Sequence, residues 1–131
     1  MTDDLELHDS WVELSTGDGL LTLRFCPGYI HHWERRESGW VGEGRRQGVD
    51  VIVVEGTVES TPIAGPFELS GGEISLDSEV FGNMIPVPIE RSGVVHGRLE
   101  SIHGDVVTFA GRGLSAHFAG AWEFVEELPG D

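Results

Sequence analysis

The stretch Val94-Val95-His96-Gly97-Arg98-Leu99-Glu100-Ser101-Ile102-His103-Gly104-Asp105-Val106-Val107-Thr108-Phe109-Ala110-Gly111-Arg112-Gly113-Leu114-Ser115-Ala116-His117-Phe118 decides the fold. Val95 and Leu99, then Val107 and Phe109, then Leu114, Ala116 and Phe118 recur at every second or fourth position. That is the period of a strand with one buried face, because successive side chains point to opposite sides of a sheet. His103-Gly104-Asp105 predicts a turn, and Gly111-Arg112-Gly113 predicts a second. Gly120 then leads into Ala121–Glu126, where Trp122 and Phe124 alternate with Glu123. The whole reads as an antiparallel meander.

The rest of the chain extends the same pattern. Trp11-Val12-Glu13-Leu14 and Leu20–Cys26 flank Thr16-Gly17-Asp18-Gly19, whose residues tolerate positive φ, and so predict a hairpin. Val49–Ser60 is apolar on both faces at first, as a central strand is, and Gly56 predicts a bend. Phe67–Leu69 and Glu73–Leu76 bracket a turn at Ser70-Gly71-Gly72. Met84–Glu90 contains Pro86 and Pro88, which cannot donate to a ladder and therefore fit an edge strand. Glu37–Gly48 reads either as a distorted strand or as a mobile loop. Leu128–Asp131 reads as a tail. No apolar stripe of helical period is present. The expected fold is all-β, an antiparallel β-sandwich or partly closed β-barrel of about 8–10 short strands with little or no helix, forming one domain over residues 1–131.

Charge bounds the function. The chain has 23 Asp+Glu against 8 Lys+Arg in 131 residues, a formal net charge of −15. All eight cations are Arg. Such a surface repels nucleic acid and anionic membranes, and it attracts a basic protein. The lone Cys26 cannot close an intramolecular disulfide and reads as a buried structural thiol. The N-terminal Met1-Thr2-Asp3-Asp4 lacks the basic and apolar regions of a secretory signal, so a cytoplasmic protein is expected.

The segment Tyr29-Ile30-His31-His32-Trp33-Glu34 concentrates aromatic and imidazole groups after Pro27-Gly28. In an extended chain Tyr29, His31 and Trp33 share one face, and Ile30, His32 and Glu34 share the other. Adjacent histidines then point apart, so one metal cannot take both, whereas His32 and Glu34 are compatible with a shared ion. The cupin pattern, an H-x-H pair followed by a Glu, is not met by His31, His32 and Glu34. His8-Asp9-Ser10 holds the letters of a hydrolytic triad, but sequence neighbours cannot take up its geometry. His96 and His117 read as half-buried sheet residues, His103 as an exposed turn residue, and Glu55 and Glu59 as solvent-facing. Arg35-Arg36 and Arg45-Arg46 flank a Gly-rich stretch and read as partners of the chain's own carboxylates, or else as a local anion site.

No catalytic residues, metal site or cofactor are therefore expected. The candidate binding residues are Tyr29, His31, Trp33, Glu34, Arg35, Arg36 and Trp40. The leading expectation is a non-enzymatic interaction module for a basic protein partner. The alternative is a small-ligand or metal-binding barrel with a pocket lined by Tyr29, His31, Trp33 and Trp40 or Trp122. An enzyme using His and carboxylate chemistry comes third, and a homo-oligomer is compatible with the sequence.

Overall fold

The computed structural model describes residues 3–129; Met1, Thr2, Gly130 and Asp131 lie outside them. Ten strands form one antiparallel sheet: β1 Asp3–Glu6, β2 Trp11–Gly17, β3 Leu20–Arg36, β4 Gly39–Val54, β5 Thr57–Val58, β6 Phe67–Leu76, β7 Glu79–Gly82, β8 Met84–Val87, β9 Ile89–Ser101 and β10 Val106–Leu128. The described residues contain no helix long and apolar enough to cross a membrane.

The expected all-β antiparallel architecture is present as a sheet whose ends meet. The order β2-β6-β9-β10-β4-β3 returns to β2 through a β2–β3 pairing, so six strands form a partly closed ring. The seam is β2–β6, where only Trp11↔Glu68 and Val12↔Phe67 pair in register. Inside the ring lie Leu21, Leu23 and Phe25 of β3, Val49, Val51 and Val53 of β4, and Phe109 and Leu114 of β10, with at most 1% of their surface exposed. Alternation along each strand delivers these residues to one side, and closure covers that side from every direction.

Three strands outrun the ring. The far halves of β3, β4 and β10, joined by β1 and β8, form a flange in the order β10-β4-β3-β1-β8. A register shift between Phe25 and Gly28 inserts a bulge into β3 where it leaves the ring. The bulge flips the parity of the strand, so Phe25 is buried before it and Ile30 after it. Ile85, Leu5, Ile30, Arg45 and Phe124 consequently form one row across five strands. Met84, Glu6, Tyr29, Arg46 and Glu123 form the matching row on the opposite face.

Several local expectations are corrected. Gly111-Arg112-Gly113 and Ser70-Gly71-Gly72 are not turns: each is a register shift inside a continuous strand, β10 and β6. Gly72 and Gly111 are needed for close approach, not for a turn: a Cβ there would collide with the Arg98 carbonyl oxygen and with a Val53 methyl group of the adjoining strands. Strands β3, β4 and β10 are accordingly long, not short. Glu37–Gly48 is strand from Gly39 onward, and Leu128 of the expected tail still pairs with Gly42. Cys26 is exposed rather than buried, because it follows the inward Phe25 and falls on the outer side at the bulge. His96 and His117 are exposed, their neighbours Val95 and Ala116 taking the inward positions. The hairpin turn at Asp18-Gly19, the bend at Gly56, and the exposed His103, Glu55 and Glu59 occur as read. The expected edge strand Met84–Glu90 is split: Met84–Val87 is the edge strand β8, Pro88 interrupts the ladder, and Ile89 and Glu90 begin β9 inside the sheet.

Candidate functional site

The flange holds all seven candidate binding residues, on opposite faces. Tyr29, His31, Trp33, Arg35 and Trp40 share the outer face, the last two being direct cross-strand partners. Glu34 and Arg36 lie on the inner face with His32.

The outer face is built by aromatic rings lying across glycines. Trp33 covers Gly42 and Tyr29 covers Gly44, so closely that a Cβ at either glycine would collide with the ring above it. The Tyr29 hydroxyl donates to Glu126 of β10, tying β3 to β10 over the top of β4. Burial first, and then that hydrogen bond, hold the Tyr29 phenol well above its ordinary range, so it stays neutral. The His31 ring meets the Tyr29 ring edge-on at 5.4 Å. Its Nε2 is buried without a hydrogen-bond partner, 3.5 Å from a Glu6 carboxylate oxygen. Trp40, 39% exposed, stands at the tip with the Arg35 guanidinium 6.0 Å from its ring.

The inner face carries a polar chain. His32 contacts Asp3 through Nδ1 at 2.8 Å and Glu34 through Nε2 at 3.0 Å, and Arg36 donates to Glu34 at 3.2 Å. Burial disfavours the imidazolium, but the hydrogen bonds to Glu34 and Asp3 outweigh it and raise His32 above its ordinary value. The same bonds from His32 and Arg36 hold the Glu34 carboxyl below its own ordinary value. His32 meets its two carboxylates through opposite ring nitrogens, so Asp3, His32 and Glu34 form a hydrogen-bonded chain and not a cage around one ion. His32 and Glu34, which the sequence left compatible with a shared ion, are here hydrogen-bonded to each other. Among the described residues, Glu6, His8 and Asp9 alone bring three ligand atoms within 4.8 Å of one another. His31, His96, His103 and His117 do not converge. Ser10 is no nucleophile: it is buried, its hydroxyl donating to the Glu6 carbonyl at 2.6 Å and accepting from the Tyr29 amide at 2.9 Å.

Beside that chain, Arg45 donates to Glu43 and lies under Trp122, its guanidinium carbon 3.7 Å from the ring centre. Arg45 is only 13% exposed, yet Trp122 and Phe124 above it are 48% and 51% exposed. Both aromatics sit on β10 beyond Ala116, its last pairing with β9. From there β10 is an edge strand, paired with β4 alone.

A cleft of about 370 Å³ opens on the outer side, where the flange leaves the ring. Its walls include Asp9, Trp11, Tyr29, Arg46, Glu68 and Glu126. Of the pocket expected along Tyr29, His31, Trp33 and Trp40 or Trp122, only Tyr29 belongs to this cleft; the others lie farther along the flange or on its inner face. Phe124, Glu43, Asp3 and the cleft residues Trp11, Glu68 and Glu126 were not read as site residues. The signal for Phe124 is its alternation with Trp122 about Glu123. No family model matches the chain, and neither does any curated protein or solved structure.

Proposed function

We propose that this protein is a non-enzymatic interaction module of the cytoplasm that binds a basic protein through its flange. One observation carries the reading: Trp122 and Phe124 stand about half exposed on an edge strand of a chain with net charge −15. Aromatic side chains are the usual anchors of protein interfaces, and Trp122 is already fixed in place by Arg45. Glu123, Glu126 and Glu127 flank them on the same strand. Like charge opposes pairing of this edge with a second copy and favours a cationic surface, while disfavouring nucleic acid. Trp40 and Val41, also exposed, lie on the neighbouring strand. The aromatic contact expected from Tyr29 and Trp33 thereby moves to Trp122 and Phe124 on the inner face, since Tyr29 and Trp33 are spent covering Gly44 and Gly42.

The test is capture from native lysate at low salt and at about 0.5 M salt, where surface attraction is screened. The wild type is expected to retain one basic protein that salt releases, and Trp122→Ala/Phe124→Ala is expected to lose it. Equal capture by the double variant, or a partner indifferent to salt, would remove the reading.

A further inference from the structure

From the cleft between the ring and the flange, we infer a binding site for a single cationic side chain, the guanidinium of Arg or the ammonium of Lys. The inference rests on the interaction reading for its source: the side chain belongs to the basic partner.

Three features of the cleft select that ligand. First, its charge is one-sided. Asp9, Glu68 and Glu126 line it against one cation, Arg46. Glu6 adds a fourth carboxylate close by, being the cross-strand partner of Tyr29. Second, its remaining walls suit the stem and the flat face of such a side chain. Trp11 stands at the cleft 41% exposed, Tyr29 forms part of the wall, and Pro27 and Val125 supply apolar surface. A cation over an aromatic face beside a carboxylate gains from both. Third, the walls come from parts of the chain that the fold holds rigidly to one another. Trp11 and Glu68 are paired across the ring seam. Tyr29 is tied to Glu126 through its hydroxyl and to Ser10 through its amide. The phenol remains neutral beside Glu126, Glu6 and Asp9, so it adds no charge of its own to the site. The volume is at the small end for ligand sites, fitting one side chain and not a large organic molecule.

The test titrates the full chain with acetyl-arginine-amide and acetyl-lysine-amide, with acetyl-norleucine-amide as the uncharged control, following backbone amide NMR shifts. The cationic probes are expected to give saturable shifts at Asp9, Trp11, Tyr29, Glu68 and Glu126, and the control none. Removing charge-assisted contacts in Glu68→Gln/Glu126→Gln is expected to weaken binding about tenfold. Trp11→Ala is expected to weaken it too, and Val80→Ala, at an exposed position of β7 away from the cleft, to leave it unchanged. Equal binding of the norleucine control overturns the inference, as does absence of saturation. So does displacement of the probes by calcium with loss of the effect in Glu6→Gln, which would make the site a metal site at Glu6, His8 and Asp9. Failure here alongside salt-sensitive capture through Trp122 and Phe124 leaves the interaction reading intact. Probe binding without any captured partner leaves the cleft and removes the partner.

Discussion

The ring and the flange share three strands, β3, β4 and β10, yet they are held together differently. Within the ring, the inward positions of β3 and β4 are Leu21, Leu23, Phe25, Val49, Val51 and Val53, all fully buried. Past the bulge, the inward positions are Ile30, His32 and Glu34 on β3, and Arg45, Glu43 and Val41 on β4. Ile30 alone among these is fully buried. Closure explains the contrast. A ring covers its inner face from all sides, so apolar residues there leave water completely. The flange has full burial at the base of that face, at Leu5, Ile30 and Ile85. Beyond the base it relies on cross-strand pairs: rings on glycines, Arg45 under Trp122, His32 between carboxylates. Such pairs each contribute on the order of 1 kcal/mol or less. Stability is concentrated in the ring, and the exposed aromatic groups are concentrated in the flange.

The largest effect expected on that contrast is in the ring. Phe109 is fully buried, its ring packed so closely on Gly97 that no Cβ fits between them. Phe109→Ala is expected to cost about 3–5 kcal/mol, transfer and cavity together. Urea unfolding measures it, and a loss below about 1 kcal/mol would mean that the ring interior is not the stabilising core.

Next comes Arg45, the most buried cation of the flange. Arg45→Ala strands Glu43 and removes the support of Trp122. Fully buried pairs cost about 3–5 kcal/mol to break, but Glu43 is 28% exposed, so about 2 kcal/mol is expected. Hydrogen exchange locates the effect: amides of Gly39–Gln47 and Ala119–Leu128 are expected to exchange faster, and those of Val107–Phe109 at an unchanged rate. Uniform acceleration would show that the two regions unfold as one unit, erasing the distinction.

The ring was more legible in the sequence than the flange, for a definable reason. Period-two alternation in Val94–Phe118 reports burial of one face, and closure makes burial complete, so Leu99, Phe109 and Leu114 announce themselves. In the flange the signal is mixed. Tyr29, His31 and Trp33 were correctly placed together, but the bulge after Phe25 decides which face they occupy, and a bulge leaves no unique mark in a sequence. Gly42 and Gly44 left Glu37–Gly48 open between a distorted strand and a mobile loop, because glycine weakens a strand signal. Their reason here is the ring lying over each, a contact between strands that only the register reveals. Glu68 and Glu126 meet at one cleft although 58 positions separate them in the numbering.

A smaller effect tests those glycines. Gly42→Ala must lift Trp33, but Trp33 is half-buried and has room to move, so the cost falls near the low end of overpacking, about 1 kcal/mol. Trp33→Leu is expected to relieve it: the double variant should be closer in stability to Trp33→Leu alone than Gly42→Ala is to wild type. Strict additivity in this double-mutant cycle would mean that the ring does not rest on the glycine.

The smallest effect is carried by pH. His32 is raised above its ordinary value of 6.5, so its contribution to stability is complete below about that pH and is lost as pH rises through the raised value. Glu34 is lowered below 4.5, so its contribution is complete above about that pH and is lost as pH falls through the lowered value. The Asp3–His32–Glu34 chain therefore stabilises the flange most between roughly pH 4.5 and 6.5. Solvent screens the charges of this exposed chain, so the effect is the smallest of the set. Other titrating groups are common to wild type and to His32→Gln, so the difference between their unfolding free energies isolates this chain. That difference is expected to shrink from pH 5.5 to pH 8.5. A constant difference would show that His32 acts in the flange only by its shape and neutral hydrogen bonds, and that charge plays no part in holding the inner face.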